Sequence, residues 1–232
     1  MIVDLGTRPS DLPFVDAIYQ ARSVGGGSFI SNATTQWEMV ITKQRENITL
    51  SLRGPESQAS PAPIPEDAEF LGIIFKHGTF MPNLPGYKLV DEEIHLSATG
   101  KNRFQLFGET WQFPTFENLD TFIGRLMRKE LVSHDQLVAD VLRGKAYDLS
   151  LRSIQRRFLH VTGLTYKAIQ QVERARKAVE LLQSGGPILD TTYQAGYFDQ
   201  AHLTNSLRKY YGQTPKEIIK PEHDLQSRVE FF

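Results

Sequence analysis

The stretch AGYFDQAHLTNSLRKYYGQTPKEI (195–218) decides the fold, because its punctuation and its periodicity agree. Leu203, Leu207 and Tyr210 or Tyr211 recur at helical spacing and define an inward side. Asp199 stands where an N-cap belongs, and Gly196 supplies the bend that separates this helix from the one before it. Downstream, Thr214, Pro215 and Glu217 form a capping box with proline at its first position, which starts a further short helix. Tyr197 and Phe198 are expected to be core wedges that set the angle between the two helices flanking the bend.

Working back toward the N-terminus, PILDTTYQAG reads as a helix with Pro187 near its first position and Gly196 at its end. Before it lies TYKAIQQVERARKAVELLQSGG, a helix of about 17 residues, or roughly 25 Å. Its buried stripe is Ile169, Val172, Ala175, Val179 and Leu182, and Gly185 and Gly186 stop it. Ser150 is an N-cap for LRSIQRRFLHVTG, with Leu151, Ile154, Phe158 and Val161 apolar and Gly163 as the stop. HDQLVADVLR is another short helix, broken at Gly144.

A helix, a tight break and a second helix with an exposed polar face make a helix-turn-helix unit, whose second helix enters the DNA major groove. The pattern occurs twice, around residues 137 to 160 and 187 to 211. The long helix between them would set the two reading helices near the ~34 Å that separates successive groove openings on one face of DNA. In the second unit Gln200, Ala201, His202 and Asn205 fall on the forward face; Gln and Asn pair with adenine, and an Ala methyl meets the thymine methyl. Thr204, Arg208 and Lys209 flank that face and suit phosphates. In the first unit Arg152, Gln155 and Arg156 are base-facing, and Arg grips guanine O6 and N7. Arg157, His160 and Lys167 are expected backbone contacts.

Charge supports this division. Residues 143 to 220 hold 13 Lys or Arg against six acids, whereas the remainder holds 13 bases and 21 acids, so a chain of net charge −1 splits into a basic and an acidic part. A basic half points to a polyanion. The absence of Cys excludes disulfides, thiolate nucleophiles and Cys-based zinc sites. No run approaches the ~18 apolar residues of a membrane span, and MIVDLGTRPSDLPF lacks the layout of a signal peptide, so a cytoplasmic protein is expected.

Residues 1 to about 115 read as mainly β. QWEMVITK places Trp37, Met39 and Ile41 on one face, ITLSL places Ile48, Leu50 and Leu52 likewise, and QREN between them makes a hairpin turn. Gly25, Gly26 and Gly27 read as a turn. The stretch GPESQASPAPIPED is expected to be too broken by proline for regular structure. FLGIIF reads as a buried strand and RFQLFGETWQF as one or two more. From Phe116 the period turns helical: Leu119, Phe122, Ile123, Leu126 and Met127 form a stripe fit either for the β domain or for a second copy of the chain.

The stretches LSLRSIQRRFLHVTGLT, ERARKAVELL and AGYFDQAHLTNSLRKYYGQTPKEI together resemble the DNA-binding domain of AraC/XylS-type transcription regulators, over about residues 134 to 220. The resemblance implies two helix-turn-helix subdomains on a linker helix. It also implies base-facing roles for Arg152, Gln155, Arg156, Gln200, Ala201, His202 and Asn205. The pattern departs in two places. RGKAYD intervenes before the first reading helix, so the first unit is expected to be shortened or docked differently, and Thr192 and Tyr193 stand where Ile and Ala are common.

The N-terminal part is similar to sensor-type domains that precede such DNA-binding domains, in QWEMVIT, LRGPE, GIIFKHGTFMPNLP and WQFPTFENLDTFI. Many relatives carry there a cupin barrel that binds a small effector. Before residue 115 the only histidines are His77 and His95, too far apart for a His-x-His pair, so no metal and no cofactor are expected. Phe75, Phe80, Tyr87, Trp111 and Phe113 could line an effector pocket or simply fill a core.

The expected fold class is therefore α+β. A mainly β, cupin-like domain (1–115) leads through an amphipathic connecting helix (116–133) to an all-α DNA-binding domain (134–220) and a tail (221–232). The expected function is an effector-responsive, non-enzymatic transcription regulator with double-stranded DNA as partner. RNA polymerase, a small-molecule effector and a second copy of the chain are further candidate partners, and no membrane is expected. The alternatives are control by a protein partner or by self-association through 119–127, and a small-molecule enzyme with a helical appendage.

Overall fold

A computed structural model of the chain describes residues 2–100 and 102–220; the expected tail, 221–232, lies outside them. In chain order the first half contains β1 (Ile2–Arg8), β2 (Val15–Ser23), β3 (Gly27–Ser31), β4 (Glu38–Gln44), β5 (Asn47–Arg53), β6 (Ser60–Ile64), β7 (Ala68–Phe75), β8 (Thr79–Phe80), a 3-10 turn at Gly86–Lys88, β9 (Glu93–Ser97), β10 (Arg103–Leu106) and β11 (Glu109–Gln112). The rest contains α1 (Leu119–Arg128), β12 (Ser133–His134), α2 (Gln136–Leu142), α3 (Leu151–Thr162), α4 (Tyr166–Gln183), α5 (Ile188–Gln194), α6 (Gln200–Tyr211) and α7 (Pro215–Ile219).

Six strands form one antiparallel sheet in the order β1-β2-β7-β4-β5-β9. The hairpin of β4 and β5 closes through Arg45 and Glu46, with Gln44 paired to Asn47 and Arg45 at φ +55°. Alternation sends Met39, Ile41, Leu50, Leu52, Ile73 and Phe75 to one face, where they build the largest core. The β10–β11 hairpin closes that core with Phe104, Leu106 and Trp111. Helix α1 closes it with Leu119, Phe122, Ile123 and Leu126, all buried. The stripe of this helix is therefore spent inside the molecule and leaves no apolar face for self-association.

The proline-rich stretch forms a strand after all. β6, with sequence SPAPI, pairs antiparallel with β3, Pro61 opposite Ile30 and Pro63 opposite Ser28. The two prolines are two residues apart, so their missing N–H groups lie on the same edge. Among the described residues β3 is the strand's only ladder partner, and that edge is the unpaired one.

The helices enclose two small cores that share α4. The first gathers Val138, Phe158, Val161, Leu164 and Ile169; the second gathers Val172, Ala175, Ala178, Val179, Leu182, Leu203, Leu207, Tyr210 and Ile218. Each core also takes residues from the β half, Phe80 and Val90 in the first and Ala33 in the second. The helical half is thus seated on the β half at two places.

Candidate nucleic-acid interface

Helix α6 starts at Asp199, whose carboxylate accepts from the backbone N–H of His202 at 2.7 Å, and stops at Gly212 in the left-handed region at φ +67°. Leu203, Leu207 and Tyr210 face the core. At 100° per residue Ala201, Asn205 and Arg208 point diametrically outward, with Gln200 and Thr204 on one flank and His202 and Lys209 on the other. All of these are exposed except Thr204, which is half-buried and donates to the Gln200 carbonyl at 2.8 Å. The amino group of Lys209 lies 4.9 Å from the Tyr210 ring centroid.

Helix α3 repeats the design. Ser150 accepts from Ser153 N–H, and Gly163 caps the far end at φ +77°. Phe158 and Val161 face inward, Arg152 and Arg156 point outward, and Gln155 sits on one flank, exposed. Arg152 and Arg156 make no ion pair among the described residues, so both guanidinium groups are available to a ligand. Leu159, 39% exposed, shares their face and was not among the residues expected there.

The expected phosphate contacts of the first unit are placed differently from one another. Arg157 turns toward α2, where its guanidinium pairs with Asp135, the N-cap of that helix. The ring of His160 lies edge-on to Phe80 of the β half, 5.8 Å between centroids. Lys167 is exposed on the first turn of α4.

Two apolar residues also depart from expectation. Leu151 is 78% exposed and Phe198 is 85% exposed, so neither belongs to a core. Both stand at the start of one of these helices: Leu151 is the first residue after the N-cap of α3, and Phe198 precedes the N-cap of α6. Tyr197 alone is the wedge, 4% exposed.

The inserted RGKAYD segment is stitched down by Asp140, which sequence inspection overlooked. Its carboxylate accepts from Gln136 Nε2 (2.8 Å), Lys145 Nζ (3.1 Å), Tyr147 hydroxyl (2.7 Å) and Arg143. These donors, the tyrosine hydroxyl first, hold the Asp140 carboxyl well below the ordinary carboxylate range. The only sequence signal was an acid inside the apolar run LVADVL, with two cations three and five residues on. At the departure in α5, Thr192 is buried and returns its hydroxyl to the Ile188 carbonyl at 2.8 Å, whereas Tyr193 is 63% exposed.

Both α3 and α6 are held at their C-terminal ends by the β half. The last carbonyls of a helix lack intrahelical donors. In α6 those of Lys209 and Tyr210 accept from the backbone N–H of Ala59 and Ala33, each at 2.8 Å. At the end of α3, Gly163 lies against Gly86 so closely that a Cβ on Gly86 would meet the Gly163 nitrogen at 2.5 Å. A polar bridge reaches α4. Thr35 donates its hydroxyl proton to Glu173 at 3.0 Å and therefore receives, at 2.8 Å, the Nε2–H of His77.

The five aromatics expected at an effector pocket do not converge. Phe75, Trp111 and Phe113 are buried in the main core, Tyr87 is 57% exposed in the 3-10 turn, and Phe80 lies in the seam against α3. The indole N–H of Trp111 is buried without an acceptor among the described residues. A small hollow does open in the seam, between Trp37, Phe80, Met81 and Leu89 on one side and Val161 and Thr162 on the other, with room for about one water. Among the described residues no group of three or more His, Cys, Asp or Glu could hold a metal ion, and no helix is long and apolar enough to cross a membrane.

Two short helix pairs mounted on one linker helix, each offering an outward polar face, define a helix-turn-helix DNA-binding domain. Residues 144–220 match the family model described as a helix-turn-helix domain, and this segment is a domain of the AraC type. No curated protein matches the chain. Among solved structures, ToxT from Vibrio cholerae is similar over 89% of this chain and 98% of its own, at 10% identity and a TM-score of 0.45. ToxT from Vibrio cholerae O395 bound to (E)-4-(8-methylnaphthalen-1-yl)but-3-enoic acid is similar over 89% and 98%, at 10% identity and a TM-score of 0.45.

Proposed function

We propose that this chain is a sequence-specific DNA-binding transcription regulator that reads two adjacent major grooves without dimerising. The observation that carries the reading is the common posture of α3 and α6. Each has its C-terminal end docked on the β half, as Gly163 and Tyr210 show, and its polar N-terminal end exposed. In this reading Arg152, Gln155, Arg156, Gln200, Ala201, His202 and Asn205 meet base edges, and Lys167, Thr204, Arg208 and Lys209 meet phosphates. Arg157 and His160, turned toward Asp135 and Phe80, chiefly hold α3 in place.

The domain division is 1–115, 116–133 and 134–220, with the first two parts acting together as a brace for the third. A small-molecule effector or RNA polymerase would act through this brace: a group wedged into the seam at Phe80 and Val161 shifts α3 relative to α6. No catalytic residue is assigned, and a cytoplasmic location follows from the function. Binding of the full chain to a selected duplex should fall steeply with salt, by about 10³ or more between 50 and 200 mM if six or more phosphates are engaged. Salt-insensitive binding would remove the phosphate contacts from the account.

A further inference from the structure

His202 is exposed on the flank of α6, and the ring set edge-on to it belongs to Tyr197: the centroids are 5.0 Å apart and the planes are perpendicular. Tyr197 is itself fixed on every side. Its N–H donates to the Thr192 carbonyl at 2.9 Å, its ring lies in the second helical core, and its hydroxyl shares a hydrogen bond of 2.8 Å with Ser206 Oγ. The guanidinium carbon of Arg174, on α4, stands 5.7 Å from its ring centroid. A lone surface histidine samples several rotamers, and a base contact must first restrict them. An immobile aromatic wall supplies that restriction before DNA arrives.

We propose that Tyr197 is a positioning residue for base reading. It holds the His202 imidazole in one orientation, so that a ring nitrogen meets a major-groove base edge, a guanine O6 or N7 when it donates. Through Arg174 it also ties that orientation to the helix shared by both units. The inference rests on the assignment of α6 as a base-reading helix.

The test compares full-chain wild type, His202→Ala, Tyr197→Phe, Tyr197→Leu and the Tyr197→Leu/His202→Ala double variant by random-oligonucleotide selection and by affinity for each single-base variant of the selected site. His202→Ala should lose preference at one base pair. Tyr197→Phe, which keeps the ring, should retain it. Tyr197→Leu should weaken it there by about two- to tenfold, the worth of one aromatic pair. The double variant should match His202→Ala at that base pair. A uniform loss at all positions in Tyr197→Leu would assign Tyr197 to packing alone, and a His202→Ala profile identical to wild type would also overturn the proposal. Wild type without any preferred sequence would overturn the DNA-reading assignment itself. Independently of any variant, the His202 ring protons of the wild-type chain should show ring-current-shifted NMR signals; random-coil shifts would contradict the edge-on arrangement.

Discussion

The backbone N–H of Ala33, just past the end of β3, donates to the carbonyl of Tyr210 in the last turn of α6 at 2.8 Å. Through this bond and the neighbouring one from Ala59 to Lys209, the β half completes a helix that would otherwise end on unpaired carbonyls. Ala33 is itself part of the second helical core, 6% exposed. Ala33→Leu overfills that place and should cost about 1–3 kcal/mol in urea unfolding. It should also weaken DNA preference at the base pairs read by α6 more than at those read by α3, measured on single-base variants of the selected site.

The first unit is held by close backbone approach. A Cβ at Gly86 would stand 2.5 Å from Gly163 N and 2.7 Å from Thr162 C, neither of which can move without displacing α3. Gly86→Ala should therefore destabilise by about 1–3 kcal/mol in thermal or urea unfolding. Its DNA defect should fall on the base pairs read by Arg152 and Arg156.

Phe198 and Tyr197 offer a contrast between neighbours. Phe198 is 85% exposed, so Phe198→Ala should change stability by no more than about 0.5 kcal/mol. A core wedge in its place would cost about 3–5 kcal/mol, which makes one unfolding curve decisive.

Proton linkage should appear at the Thr35–His77–Glu173 bridge. Burial is the largest influence on the His77 imidazole and lowers its pKa; the facing carboxylates of Glu173 and Asp16 raise it, and Arg176 lowers it. The unfolded chain therefore takes up this proton first as pH falls. The stability contributed by His77 is complete above about pH 6.5 and declines below it until the folded imidazole protonates. His77→Gln should flatten the dependence of unfolding free energy on pH just below about pH 6.5 relative to wild type. An unchanged slope would show that His77 does not titrate with folding.

Asp140 behaves in the opposite chemical sense. Its folded carboxyl is held well below the ordinary range, chiefly by the Tyr147 hydroxyl and Arg143. Its contribution is complete above the unfolded value of about 3.9 and is lost as pH falls through the folded one. Asp140→Asn should lower the unfolding midpoint at neutral pH and flatten the acid limb. It should also raise hydrogen exchange at residues 143 to 149.

Much of the helical half was legible because its signals are local. N-caps at Ser150, Asp199 and Thr214, the stop at Gly163, and the stripe from Ile169 to Leu182 all stand where spacing and capping chemistry place them. What escaped was whatever depends on a partner distant in sequence. The inward side of α1 needed the sheet to claim it, and SPAPI needed β3 to make a strand of it. Arg157 looked like any exposed cation until Asp135, 22 residues away, took it up. Leu151 and Phe198 misled for the converse reason: apolar type suggests burial, but both stand exposed at helix starts.

As proposed, α3 and α6 of one chain read successive grooves. Selection from random duplexes with the full chain, followed by measurement of bound stoichiometry, tests it most directly. One chain should bind per site, with two preferred blocks about 10 base pairs apart. Arg156→Ala should relax one block only and Gln200→Ala the other. A single block, a two-chain palindrome, or no enriched sequence would contradict it.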